Sequence, residues 1–379
     1  MGKTTLLRVI AQERGARYET LDDFATLESA TRSPEAFLGA DDRPVAIDEA
    51  QKAPALFPVI KRLVDGGRTP GRFLLSGSAN FALLGGITES LAGRAVYFPL
   101  HPFSRREVAA SLDAEPFVVR ALRHGLPVHG GASAEPVSVP EVMCGGMPPV
   151  CLEPGADPDL WFLGYEQTYL ERDIRQISQI GDLVAFRHLL RLAGMRTGQV
   201  LNMSELARDA HLNVATATRH FSAMEASFVI SRLPPYLGSR VTRLIKSPKI
   251  FVSDSGLASH LAGIARDVAE RDAMWGRILE TYVHQNLAAV LSAWEPGARL
   301  HFWNVQGRYE VDFVIEVGQS SLAIEVKAGS RWQDRDLAGL RTLLSATRGC
   351  KAGILAYGGD AIAPLGDGIW AVPLGVLLS

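Results

Sequence analysis

The hydrophobic and polar positions of the first 110 residues alternate between helical and strand-like patterns. Apolar residues recur at helical spacing from Thr4 to about Arg14 and over Phe57–Val64, while short apolar runs end at Asp48 and span Arg72–Leu75. Strands that alternate with helices favour a parallel sheet with covering helices. The pattern therefore predicts an α/β fold for this part of the chain.

The remaining pattern changes twice along the chain. Glycine and proline pairs predict a loop-rich connector from about Asp113 to Pro158. An amphipathic helical pattern follows from Trp161 to Ile180, and the run from His188 to about Ala265 is dominated by helices followed by two short extended pieces. From Trp275 the chain predicts a helix to Leu291 and then three strands, Arg299–Asn304, Glu310–Glu316 and Leu322–Lys327. We accordingly divide the sequence into four predicted regions, which are residues 1–112, 113–180, 181–265 and 266–379.

Composition narrows the class of protein. Of the 379 residues 47% are hydrophobic and 21% charged, and 39 Lys and Arg against 41 Asp and Glu give a net charge of −2. This balance is typical of a soluble globular protein and excludes a coiled coil or a disordered polyelectrolyte. The three cysteines form no C-x-x-C pair, which favours a reducing compartment. Proline and glycine residues interrupt the most apolar stretch of the chain. We therefore expect the protein to span no membrane and to be cytoplasmic.

A phosphate-binding motif stands at the start of the chain. Gly2, Lys3, Thr4 and Thr5 match the second half of the P-loop pattern G-x-x-x-x-G-K-[ST]. In that motif the backbone and a helix N-terminus hold the phosphates, the Lys reaches the β and γ oxygens, and the Thr hydroxyl binds Mg²⁺. So short a match also arises by chance, so residues further along the chain must support it.

The first supporting segment is Pro44–Gln51, an apolar strand that ends in two acidic residues. Asp48 fits the carboxylate that holds Mg²⁺, and Glu49 fits the base that polarises the attacking water. The alternative is a buried strand that simply runs into a solvated acidic turn.

Two further segments have the expected order. Phe73–Asn80 is a strand whose end offers Ser78 to a γ-phosphate, and Ser90–Arg94 offers Arg94 to the charge that develops during phosphoryl transfer. Taken singly, the first is an ordinary strand end and the second a surface arginine. Their order together with the P-loop residues favours one nucleotide site.

These motifs resemble those of a group of AAA+-type P-loop ATPases of bacteria and archaea, which carry I-D-E-x-Q, L-x-G-S and S-L-A-G-R in this order. The resemblance covers about residues 1 to 110. It implies a P-loop NTPase fold with helices on both faces of a parallel sheet, ATP and Mg²⁺ as ligands, and ATP hydrolysis.

The first half of the P-loop and the strand before it are not among the 379 residues. Either they are encoded upstream of Met1, or the chain is a degenerate copy. We favour the former because Lys3, Thr4, Asp48, Glu49 and Arg94 are all intact. The chain as it stands is expected to bind ATP weakly or not at all.

A helix-turn-helix pattern lies in the middle of the chain. Ser204–Asn213 predicts a helix and a turn, with Ser204 as the cap, and Ala215–Met224 predicts a second helix that displays Thr216, Thr218, Arg219 and Ser222. Residues 181–250 contain ten Lys and Arg but only four Asp and Glu. This excess of positive charge suits DNA phosphates. A winged helix that packs only against protein is the competing interpretation.

Acidic residues and a lysine follow one another in the predicted C-terminal strands. Glu325 and Lys327 are two residues apart and therefore share one face of a strand, beside which a neighbouring strand can bring Asp312. Glu280, on the preceding helix, can add another oxygen. Two carboxylates could bind a divalent metal while Lys327 positions a water. A plain exposed ion pair between Glu325 and Lys327 is the alternative.

The spacing of Asp312, Glu325 and Lys327 resembles the PD-(D/E)XK nuclease superfamily. Together with Lys249–Leu257 it also resembles the C-terminal domain that accompanies this ATPase group. The resemblance implies a winged helix followed by an α/β restriction-endonuclease-like domain.

Three functions remain open from sequence. The first is an ATPase that couples ATP to a nucleic-acid-associated C-terminal region. Its partners would be ATP and DNA, and an oligomeric state is compatible with this function. The second is a metal-dependent nuclease with a vestigial ATPase domain, and the third is a non-catalytic binding protein.

Overall fold

The computed structural model describes residues 2–39, 43–77, 91–126, 134–168, 182–237, 246–305 and 308–379. The chain divides into two compact units, one built mainly of Met1–Leu100 and the other mainly of the residues from His101 onward. Each unit is described by itself below.

The first unit is a parallel α/β structure, as the sequence predicts. Its elements are α1 (Lys3–Glu13), β1 (Arg17–Thr20), α2 (Phe24–Arg32), α3 (Pro34–Leu38), β2 (Val45–Asp48), α4 (Leu56–Gly66) and β3 (Phe73–Leu75). The described sheet has the order β1-β2-β3, and both pairings are parallel. All four residues of β2 are buried, which explains why its sequence is an unbroken apolar run before Asp48.

Helix α1 packs on this sheet through a small apolar cluster. Leu7 and Ala11 are one helical turn apart, and both are buried against Ala46 of β2. This contact fixes the N-terminus of α1 beside the carboxyl end of β2, where Asp48 lies.

The second unit begins with a helical region. Its elements up to residue 200 are α5 (Arg105–Val108), α6 (Phe117–His124), α7 (Val139–Cys144), α8 (Pro148–Cys151), α9 (Pro158–Thr168), α10 (Leu183–Met195) and β4 (Gln199–Val200). They are followed by α11 (Met203–Asp209), α12 (Val214–Ala226), β5 (Ile230–Leu233), β6 (Lys249–Val252) and α13 (Ser255–Ala262). Strand β6 is the centre of an antiparallel sheet with the order β4-β6-β5.

The cap of α11 differs from the prediction. The Asn202 side chain, not that of Ser204, accepts the backbone N–H of Glu205 at 3.2 Å. The helix starts two residues earlier than a Ser204 cap would place it, because asparagine is as good an N-cap as serine and stands directly before the first apolar residue.

The C-terminal part is a six-stranded mixed sheet. Its elements are α14 (Trp275–Trp294), β7 (Arg299–Val305), β8 (Tyr309–Val317), β9 (Ser320–Lys327), α15 (Ala338–Ala346), β10 (Cys350–Tyr357), β11 (Ala363–Gly366), β12 (Ile369–Pro373) and α16 (Leu374–Leu377). The strand order is β11-β12-β10-β9-β8-β7. Helix α15 packs closely on β8, since a Cβ at Gly339 would lie 2.1 Å from the Glu310 carbonyl oxygen.

Candidate functional site

Helix α1 begins at a backbone position that suits glycine. Gly2 has φ +78°, in the left-handed region, and it precedes Lys3 and Thr4 directly. The first amides of the helix have no side-chain cap. Free amides at a helix N-terminus, followed by Lys and Thr, are the groups that bind phosphate.

Asp48, at the carboxyl end of β2, is the buried acidic group beside this helix start. Only 1% of its surface is exposed. Its carboxylate accepts hydrogen bonds from the hydroxyls of Tyr18 at 3.1 Å and of Ser76, and the nearby Thr4 hydroxyl also lowers the pKa of the carboxyl group. The structure therefore places the predicted magnesium residues Thr4 and Asp48 close together.

The three hydroxyls decide the charge of Asp48. Burial raises the pKa of its carboxyl group, but the hydrogen bonds from Ser76, Thr4 and Tyr18 outweigh it, so the pKa lies below its usual value. Asp48 is thus a carboxylate at neutral pH. Because its partners are neutral, the negative charge is not cancelled and remains available to a cation.

Glu49 follows in a turn of unusual geometry. It has φ +57°, which is uncommon for a residue with a side chain. The turn is held by the Ala50 N–H, which donates to the Ser76 carbonyl at 2.9 Å, and by the Gln51 amide, which donates to the Glu49 carboxylate at 2.5 Å. The strained backbone orients Glu49 differently from a residue that continues the strand.

The remaining two nucleotide-site predictions have different outcomes. Ser78 lies outside the described residues. Arg94 donates from Nε and Nη2 to the Asp65 carboxylate at 2.7 and 2.8 Å, and from Nη1 to the Ala92 carbonyl. The structure thus places Arg94 in a bidentate pair with Asp65, and its role toward a nucleotide stays a prediction.

A second group of acids lies in the C-terminal sheet. The antiparallel register pairs Phe313 with Ile324, so Asp312 and Glu325 lie one residue further along the same ladder. Asp312 accepts the Val326 N–H at 2.8 Å, and the Lys327 ammonium contacts the Glu325 carboxylate at 3.0 Å. The three residues singled out in the sequence are therefore neighbours.

A lysine that the site prediction does not include joins this group. The Lys249 ammonium, from β6, lies 2.5 Å from a Glu310 oxygen, 3.6 Å from Asp312 Oδ1 and 3.7 Å from Glu280 Oε2. Lys249 is buried, with 4% of its side chain exposed. We call Lys249, Glu280, Glu310, Asp312, Glu325 and Lys327 the carboxylate centre.

Burial governs the ionisation of the carboxylate centre. It raises the pKa of Glu280 to about 8, with Asp312 adding to the effect, and it raises the pKa values of Asp312 and Glu325 as well. Burial lowers the pKa of Lys249, but the three facing carboxylates more than offset this, so that pKa is raised. The carboxyl groups of the centre therefore hold protons more strongly than exposed ones do, and Lys249 keeps its positive charge. Both effects limit the net negative charge of the centre.

The arrangement does not match a ready metal site. Within the described residues, no group of three or more His, Cys, Asp or Glu side chains is arranged to hold a metal ion. Glu280 Oε2 and Glu325 Oε2 are buried without a hydrogen-bond partner. The cation that faces Glu280, Glu310 and Asp312 is the ammonium of Lys249.

Comparison with known proteins relates the whole chain to a family and its parts to three domain models. Residues 1–109 match the model of the AAA domain, residues 141–268 that of DUF8612 and residues 275–377 that of DUF4143, the last two being domains of unknown function. The uncharacterized proteins Mb2031c of Mycobacterium bovis and Rv2008c of Mycobacterium tuberculosis are each 31% identical to this chain over 383 residues. The alignment covers all of this chain and 79% of each relative. The chain belongs to their family.

The AAA match includes Lys3, Thr4, Asp48, Glu49 and Arg94. The N-terminal region is therefore an AAA-type, ATPase-like domain, and the carboxylates of the C-terminal sheet lie in the DUF4143 region. No solved structure matches the chain significantly. Among the described residues, no helix combines the length and apolar character needed to cross a membrane.

Four contributing residues escape the sequence prediction. Tyr18 stands in the polar run R-Y-E-T, which gives no sign of a contact with Asp48. Ser76 and Glu310 lie inside segments that the sequence does single out, but each stands two residues before the one chosen, Ser78 and Asp312. Lys249 is the first residue of the segment Lys249–Leu257 that carries the resemblance, yet only the fold shows that it faces three acids.

Proposed function

We propose that the protein is a Mg²⁺-dependent ATP-binding protein and ATPase whose nucleotide state acts on a nucleic-acid-associated C-terminal region. The observation that carries the proposal is the buried Asp48 carboxylate, hydrogen-bonded to Ser76 and close to Thr4, which lies in the first turn of α1. An ionised, buried aspartate beside a P-loop threonine is the donor set that Mg²⁺ with ATP prefers.

Each residue of this group then has a distinct task. Gly2 and Thr5 supply backbone amides to the phosphates, and Lys3 supplies charge to the β and γ oxygens. Thr4 and Asp48 are the residues that would hold Mg²⁺, which neutralises phosphate charge when it is bound.

Glu49 takes the role of the base toward the attacking water. Ser78 is proposed to sense the γ-phosphate. Arg94 is proposed to leave Asp65 and neutralise the developing charge, within its own subunit or across a contact between subunits.

ATP titration calorimetry tests the proposal. The protein is prepared with a glycine-rich segment that completes the P-loop ahead of Gly2, and Lys3→Ala is compared with Lys351→Ala, an exposed lysine outside the AAA region. Loss of a charged hydrogen bond of about 1.5–3 kcal/mol predicts at least about tenfold weaker binding for Lys3→Ala alone. Equal affinities for the two variants would refute the nucleotide site.

DNA is the proposed partner of the second part of the chain. Helices α11 and α12 follow one another over the segment for which the sequence predicts a helix-turn-helix, and Thr218, Arg219 and Ser222 are exposed on α12 while Thr216 is half-buried. Residues 181–250 also carry an excess of positive charge. Both features favour a winged helix that contacts DNA phosphates.

A salt titration of DNA affinity tests this partner. Arg219→Ala should weaken binding and reduce the slope of log affinity against log salt by about one unit, as expected when one phosphate contact is lost. Arg335→Ala, an exposed arginine of the DUF4143 region, is the control and should leave the slope unchanged. Identical slopes for Arg219→Ala and the parent would exclude this helix as the DNA contact.

The second candidate is a nuclease-like function. It is favoured by one observation, the contact of Asp312, Glu325 and Lys327 across neighbouring strands. This supports an endonuclease-like domain with Glu280, Asp312, Glu325 and Lys327 as its centre. Whether such a domain uses metal or only binds partners depends on Lys249.

A further inference from the structure

Lys249 is held at its position by the backbone rather than by a flexible loop. It is the first residue of β6, the middle strand of its sheet, and is paired with Val200 of β4 on one side and with Leu233 of β5 on the other. A strand paired on both sides delivers its side chain to a defined place. The ammonium is therefore a fixed part of the carboxylate centre.

The surroundings of this ammonium are those of a bound cation. Three carboxylates approach it within 3.7 Å, from α14 and from two positions of β8, and the ring of Phe302 lies 5.6 Å away. Aromatic rings and carboxylates are both favourable partners for a positive charge. Because the side chain is buried, water screens these attractions only weakly.

A divalent metal would compete for the same oxygens. Asp312 Oδ1 and Glu280 Oε2 are the atoms expected to bind a metal in a nuclease-like centre, and both face the Lys249 ammonium. A metal between them would lie beside a fixed positive charge in a buried setting, where like charges repel strongly. The residues of the carboxylate centre thus do not fit the metal ion that the resemblance to PD-(D/E)XK nucleases implies.

We propose that Lys249 is the resident cation of the carboxylate centre. It takes the place of a divalent metal, joins the β4-β6-β5 sheet to α14 and β8, and prevents the centre from working as a metal-dependent nuclease. This inference goes beyond the ATPase proposal and does not depend on it. It predicts that removal of the ammonium converts the centre into a metal site.

Manganese binding to the parent and to variants at Lys249 and Asp312 tests the proposal. Free Mn²⁺ is followed by its electron paramagnetic resonance signal, and melting temperatures are recorded with and without Mn²⁺, in the absence of nucleotide. The parent and Lys249→Arg, which keeps the charge, should show neither loss of signal nor a shift in melting. Lys249→Met should bind Mn²⁺ and gain several degrees in melting temperature, and the further change Asp312→Asn should abolish both effects.

Two outcomes would overturn the proposal. One is Mn²⁺ binding by the parent that is lost on Asp312→Asn, since the ammonium would then not exclude a metal. The other is a folded Lys249→Met protein, shown by circular dichroism, that does not respond to Mn²⁺. If Lys249→Met does not fold in the absence of metal, refolding by Mn²⁺ supports the proposal, and failure to refold with it counts against it.

Discussion

The two groups of buried acids in this protein are satisfied in opposite ways. In the AAA region, Asp48 accepts hydrogen bonds from the neutral hydroxyls of Tyr18 and Ser76, and its neighbour Thr4 is neutral as well. In the DUF4143 region, Asp312 and its neighbours face the ammonium of Lys249. Hydroxyls satisfy the lone pairs of a carboxylate and leave its charge uncancelled, whereas an ammonium satisfies the charge itself.

The pKa values of the two groups also differ, because burial outweighs the lowering effect of the lysines at Asp312 and Glu325, whereas the hydrogen bonds outweigh burial at Asp48. The pKa of Asp48 lies below its usual value despite burial, while those of Asp312 and Glu325 are raised. A buried acid alone is therefore weak evidence for a metal site. The nature of its donors indicates whether the protein already supplies the cation.

The largest expected effect belongs to the AAA region and concerns Glu49. In the protein with a completed P-loop, Glu49→Gln should keep ATP binding and lower hydrolysis by about 10²- to 10⁴-fold, because it removes only the base that polarises water. Phosphate release and ATP titration measure the two properties separately. Hydrolysis at the parental rate would show that another group is the base.

The next effect is on stability and concerns the carboxylate centre. Lys249→Met leaves several buried acids without their counter-ion and should lower the free energy of unfolding by about 3–5 kcal/mol without metal. All six tryptophans lie in the second unit, so urea unfolding followed by tryptophan fluorescence reports on it selectively. A decrease in the free energy of unfolding of less than about 1 kcal/mol would mean that Lys249 contributes no more than an exposed ion pair does.

The two groups should also respond to pH with opposite signs. The pKa of Glu280 rises from 4.5 to about 8 in the folded state, so the folded protein holds a proton that the unfolded chain releases between these values. Stability therefore falls as the pH rises from about 4.5 to about 8. Glu280→Gln should remove part of this fall, on the order of 2 kcal/mol, in urea unfolding at pH 5 and pH 8.

Asp48→Asn provides the matched comparison for the first unit. The folded pKa of Asp48 is below the ordinary aspartate value of 3.8, so its contribution to stability is present above that pH and is lost as the pH falls through the lowered value. Asp48→Asn should therefore cost stability at neutral pH and progressively less in acid. The same pH trend in both variants would contradict the contrast between the two groups.

The smallest stability effect is expected at Arg94. Its pair with Asp65 is exposed, so Arg94→Ala and Asp65→Asn should change the melting temperature little. If Arg94 acts on the nucleotide, only Arg94→Ala should lower ATP hydrolysis. Equal hydrolysis by the two variants would assign the arginine a purely structural role.

Sequence patterns predict the parts of this structure that have regular periodicity. The apolar run before Asp48 marks β2, and the largely apolar segments that contain Asp312 and Glu325 mark β8 and β9. Strand β1 escapes prediction because R-Y-E-T is half-buried at every position and does not alternate. The contacts of Tyr18 and Lys249 join residues far apart in sequence, and no local pattern encodes such contacts.

One measurement tests the central contrast most directly. Mn²⁺ is titrated by electron paramagnetic resonance into the protein with a completed P-loop, with and without ATP, and into its Asp48→Asn and Asp312→Asn variants. We predict Mn²⁺ binding only with ATP, lost in Asp48→Asn and unchanged in Asp312→Asn. Binding that needs no ATP and disappears in Asp312→Asn would contradict the account.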